Sequence, residues 1–158
     1  MTQAQRALLR TGILADTDPA IVAAVAAGAN NQLLPLINAA STTDAWLGAA
    51  TRQQLFEAID LTQFDGITAG KRDAWKLLMD NAPIDFGRVK MRKAVSDSWS
   101  SLTQGQRDTI LGNLVEKATK AEVYIGGTNR TEGGVTALGR NVVGAVSSDE
   151  LSKAMLQQ

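Results

Sequence analysis

The side chains that most often do chemistry near neutral pH are missing from this chain. Its 158 residues include no histidine and no cysteine. That removes the commonest general base, the commonest metal ligand and the thiolate nucleophile. Ser-His-Asp, Cys-His and His-zinc sites are excluded, while carboxylate and lysine chemistry stay open. The carboxylates are spaced for another task. Asp16 and Asp18 precede Pro19, and Asp60, Asp65 and Asp85 fall at turns or helix starts, where short acidic side chains cap backbone amides. No run of oxygen ligands has the spacing of a calcium loop. Gly126-Gly127-Thr128 and Gly133-Gly134 carry backbone amides able to cradle an anion. They lack the Gly-x-x-x-x-Gly-Lys-Ser/Thr run and a helix at the right distance, so a flexible hairpin tip is the better reading. No catalytic residue, cofactor or metal is expected, and an enzyme is the least favoured class.

Arg88, Lys90, Arg92 and Lys93 form a basic cluster, with Lys71, Arg72 and Lys76 near them in sequence. Such a cluster can contact nucleic-acid phosphates. At helical spacing the four charges spread around the helix, and no aromatic residues interleave with them. A solvated or salt-bridging face is the plainer reading. Trp46, Trp75 and Trp99 suit core or interface anchors. Trp46 and Trp99 lie in or near expected loops, which leaves an interface role open for them. Sixteen basic and sixteen acidic residues give zero formal net charge, so no global field attracts DNA or an acidic membrane. The apolar run 21–27 is too short to span a bilayer, and the opening residues lack a signal peptide's apolar stretch. A soluble protein of a reducing compartment fits.

The elements that position these groups read as short helices. A helix is expected over Gln3–Arg10, with Ala4, Ala7 and Leu8 inward and Thr11-Gly12 ending it. Another follows Asp18-Pro19, with Ile21, Val22 and Val25 buried and Gly28 as its stop. Leu33, Leu34, Leu36 and Ile37 mark a third around Pro35. Residues 39–50 read as a long connection with at most a short strand near Trp46. Thr51 and Thr103 match the capping box with Gln54 and Gln106. They open Arg52–Ile59 and a long helix Gln104–Lys120 carrying Ile110, Leu111, Leu114, Val115 and Ala118. Asp60–Gly66 is expected as a loop. Helices over Ala69–Asp80, carrying Trp75, Leu78 and Met79, and over Phe86–Ser98 fill the middle. Glu122–Val146 is rich in Gly, Thr and Val and reads as two strands, Glu122–Ile125 and 135–146. Ser148 opens a last helical turn or two. The fold class expected is mainly α: a bundle of five to six short helices with a C-terminal β-hairpin or extended arm. A helical body over 1–121 and an arm plus short helix over 122–158 make one domain. Two strands are marginal alone, so Tyr124, Ile125, Val135, Leu138, Val142 and Val143 are expected to form an assembly interface.

Three stretches resemble small virion proteins of tailed bacteriophages. The first is the helical opening with Asp16-Thr17-Asp18-Pro19. The second is Leu55–Trp99, with Ala74-Trp75-Lys76-Leu77-Leu78 inside it. The third is Ala118-Thr119-Lys120-Ala121-Glu122-Val123-Tyr124-Ile125-Gly126-Gly127-Thr128, followed by a turn, a strand and Ser148-Asp149-Glu150-Leu151. This order is similar to proteins of the head–tail connector, or neck. The resemblance implies a non-enzymatic adaptor in the virion, assembled in the host cytoplasm as a twelve-fold homo-oligomeric ring. Its partners would be the portal protein, a tail or second neck protein, and DNA passing through without sequence specificity; no membrane is implied. Two alternatives remain. One is a nucleic-acid-binding phage regulator using the basic helix 86–98, with Arg88, Lys90, Arg92 and Lys93 facing DNA or forming salt bridges. The other is another tail-completion or tube protein, although a tube protein should be mostly β.

Overall fold

The computed structural model describes residues 1–140 and 144–156. It corrects the expected fold class. Among the described residues are ten helices and a four-stranded mixed sheet, so this is an α/β fold rather than a helical bundle with a hairpin arm. The strands are β1 (Ala40–Trp46), β2 (Val115–Thr119), β3 (Gly127–Glu132) and β4 (Val135–Arg140), in the order β2-β1-β4-β3. β1 runs parallel to β4, with Ala45 opposite Leu138. The observed hairpin joins β3 to β4 rather than the expected Glu122–Ile125 to 135–146, and β4 lies inside the sheet. No helix among the described residues is long and apolar enough to cross a membrane.

The chain forms two compact units, each with its own core. The first comprises Met1–Thr43, Lys117–Gly127 and Arg140–Gln158. The expected division at 121 falls inside one of its helices. Here α1 spans Gln3–Ala15, capped by Thr2 with Gln5 in a reciprocal capping box. It runs through Thr11-Gly12, the expected stop, because Tyr124 packs where a Gly12 side chain would be. Leu9 and Ile13 are its buried face, and Leu8 points outward. α2 (Pro19–Ala26) starts as expected, with the Asp18 carboxylate accepting the Ala20 N–H at 3.0 Å. Its end is a Schellman motif: Gly28 has φ 62°, its N–H donates to Val25, and the Ala29 N–H donates to Ala24. Ile21 and Ala24 are its buried residues, and Val22 is not. α3 (Asn30–Ile37) buries Leu33 and Ile37 and keeps Pro35 inside it.

α9 (Lys120–Ile125) stands where a strand was expected. The Thr119 hydroxyl accepts the Glu122 N–H, and the Glu122 carboxylate accepts the Thr119 N–H at 2.8 Å. This closed capping box outweighs the strand preference of Val123, Tyr124 and Ile125. α10 (Ser148–Leu156) matches its expected place, with Leu151 and Ala154 buried and Leu156 exposed. The Asn38 side chain clamps Val146 by two hydrogen bonds of 2.9 and 2.8 Å. At full burial, each Leu or Ile of this core contributes about 2 kcal/mol of transfer free energy.

The second unit comprises Asp44–Glu116 and Thr128–Gly139. Its helices are α4 (Arg52–Glu57), α5 (Leu61–Asp65), α6 (Ala69–Asp80), α7 (Val89–Ser98) and α8 (Gln104–Gly112). The capping boxes at Thr51 and Thr103 both form. Asp60 caps α5 where a loop was expected. α7 starts three residues later than expected. The Asp85 carboxylate accepts the Gly87 N–H in a turn, and the Phe86 N–H donates to the Leu47 carbonyl. α8 ends at Gly112, and the apolar pattern that extended it to Lys120 belongs instead to β2. Trp46, Trp75 and Trp99 are all fully buried. Trp75 and Trp99 meet edge-to-face at 5.6 Å. This closes the interface role left open for Trp46 and Trp99.

Candidate assembly surface

Four of the expected interface residues, Tyr124, Ile125, Val135 and Leu138, are engaged within the chain. Ile125 is 1% exposed in the first unit's core, and Leu138 is buried on β4. Val135 is half-buried against the second core. Tyr124 packs on α1, and its hydroxyl donates to Asp16. Val142 and Val143 lie outside the described residues. The apolar surface left open is elsewhere.

One part of it lies on the outward faces of α1 and α2; Phe56, Leu61, Leu77 and Val89 of the second unit are also exposed. On α1, Ala4, Ala7, Leu8, Thr11, Leu14 and Ala15 are exposed at three- and four-residue spacing. This is a second apolar stripe opposite the buried one. α2 has no polar residue, yet Pro19, Ala20, Val22, Ala23 and Ala26 are exposed. Leu8, Leu14 and Val22 are each 48–50% exposed. The segment's charges are held away from these stripes. The Arg6 guanidinium reaches Glu150 at 3.2 Å, Arg10 is half-buried, and the Lys120 ammonium reaches Asp18 at 2.6 Å.

Asp16 and Asp18 sit in a hydrogen-bonded group with Tyr124 and Lys120. The Tyr124 hydroxyl bond lowers the Asp16 pKa, helped by the Asp18 N–H. Lys120 lowers that of Asp18, and Asp18 raises that of Lys120. Burial, then the bond to Asp16, pushes the Tyr124 phenol up. Each shift favours the charge state already present at neutral pH, or keeps the phenol neutral.

The basic cluster is divided. Arg92 is 2% exposed and stacks over Trp46 at 5.1 Å. Its Nη1 donates to the Phe86 and Gly87 carbonyls at 2.7 and 2.9 Å, and burial lowers its pKa. Arg88 pairs with Asp85 at 3.1 Å. Lys90 and Lys93 are exposed. The four side chains therefore do not share one solvent-facing surface.

The glycine pair at the hairpin tip does bind an anion, but the anion is the chain's own. The Gly134 N–H donates to Asp108 of α8 at 2.8 Å. Side chains at Gly133 or Gly134 would meet that carboxylate at 2.5 Å, so the expected flexible tip is docked. Gly133 has φ 58°, as the first central residue of a type II′ turn requires. In the second unit, α6 and α7 border an apolar cleft of about 360 Å³ lined by Leu77, Leu78, Ile84 and Met91. Among the described residues, no three His, Cys, Asp or Glu are grouped to hold a metal. Comparison with protein-family models, curated proteins and solved structures finds no match.

Proposed function

We propose that this chain is a non-enzymatic assembly subunit, a head–tail connector protein of a tailed-bacteriophage virion. In this reading its copies form a ring between portal and tail through which DNA passes. The resemblance of its residue pattern to such proteins suggests the place, and the outer face of α1 and α2 supports the assembly role. A helix apolar on every side belongs in an interior. α2 is such a helix with one side open. An uncharged apolar face is best matched by another apolar surface, and in a ring that surface is a different part of the neighbouring copy. A ring needs a heterologous contact that closes on itself, and the resemblance implies twelve copies.

The test is Val22→Glu, and separately Leu8→Glu, in a phage depending on the chain. Both side chains are about half exposed, so circular dichroism of the purified variants should match the wild type. The expected result is loss of the chain from particles, with heads and tails accumulating unjoined. Particles that carry either variant at wild-type level would refute the reading.

A further inference from the structure

We infer that the free edge of β3 pairs antiparallel with the same edge of a second copy, with Thr131 on the two-fold axis. This stands apart from the connector reading and uses different residues. β3 is the last strand of the sheet, and its residues from Gly127 to Thr131 are all exposed. The two-residue loop sets Glu132 opposite Val135 and Thr131 opposite Thr136. Consistent with this, the Thr131 and Thr136 hydroxyls are 2.8 Å apart. In that register the main-chain groups of Arg130 and Glu132 face β4, and those of Asn129 and Thr131 face outward. The Arg130 carbonyl accepts the Trp46 indole N–H at 2.9 Å, as an inward-facing group should.

Outward amides and carbonyls two residues apart are complementary to another strand. The charges select the strand and its register. Arg130 and Glu132 are two residues apart on one face of β3; neither makes a salt bridge among the described residues, Arg130 lies over Gly139 of β4, and both charges act on Arg92. Three two-fold registers centred within Asn129–Thr131 set outward-facing residues of β3 opposite one another; with Thr131 on the axis, Asn129 falls opposite Gly133 of the turn. Centring on Asn129 sets Arg130 opposite Thr128. Centring on Arg130 sets two like charges face to face, which is destabilising. Centring on Thr131 sets each Arg130 opposite the other copy's Glu132. These become non-hydrogen-bonded pairs, whose side chains approach most closely. A sequence that meets itself with two reciprocal ion pairs fits a second copy of this chain better than an unrelated strand.

The experiment is sedimentation equilibrium of the full chain and of Arg130→Glu, Glu132→Arg and the double exchange. Far-UV circular dichroism checks each fold. The wild type should show a monomer–dimer equilibrium. Each single variant should weaken it about tenfold, because two attractions become repulsions. The double exchange should restore it, and mixing the two single variants should give a heterodimer. A wild type that stays monomeric, or a dimer indifferent to these charges, would overturn the inference. Either result would leave the Val22→Glu test of the connector reading standing.

Discussion

At residue scale, two positions show how context overrides propensity. Gly12 sits within a helix, where alanine normally gains about 1 kcal/mol over glycine. Here a Cβ would collide with the Cβ and Cγ of Tyr124. We expect Gly12→Ala to destabilise the chain by about 1–3 kcal/mol instead, measured by urea unfolding. Asp16 illustrates charge. Its pKa lies below the ordinary 3.8 because Tyr124 donates to it. A depressed carboxyl stabilises the fold above its unfolded pKa, and that contribution is lost as pH falls through the folded value. Melting curves of the wild type and Asp16→Asn should therefore differ most near neutrality and converge in acid. A constant gap would contradict the assignment. Glu122 is the group that residue types alone did not flag. It is 3% exposed and takes the Arg140 guanidinium at 3.1 Å and the Gly144 N–H at 3.0 Å. Its signal was the Thr-x-x-Glu spacing from Thr119, which also announces α9.

At element scale, helix punctuation was legible because it is local. Asp18-Pro19, Gly28 and the boxes at Thr51 and Thr103 each act within one turn. The sheet was not legible. β1 reads Ala-Ser-Thr-Thr-Asp-Ala-Trp, without a clean apolar alternation, and its partner β4 is about ninety residues away in sequence. β2 was hidden because Leu114, Val115 and Ala118 continue the spacing of α8. The candidate site was less legible still. Outward apolar residues on α1 and α2 look like core residues until the buried stripe is known. One consequence can be measured. Had residues 122–146 been an arm, removing them would leave a soluble helical monomer. Ile125, Ala137 and Val146 instead belong to the two cores. The deletion should lose cooperative thermal unfolding and become protease-sensitive. A well-folded truncated chain would contradict the burial described.

At the scale of the whole molecule, zero net charge leaves little self-repulsion. The chain also passes from one unit to the other after Thr43, Glu116, Gly127 and Gly139. Neither unit is thus an unbroken stretch of gene. A cut at any one of these crossings yields two incomplete fragments rather than one finished module. Recombination between related genomes can exchange this protein intact, but it cannot trade one half for another as it would beads on a string.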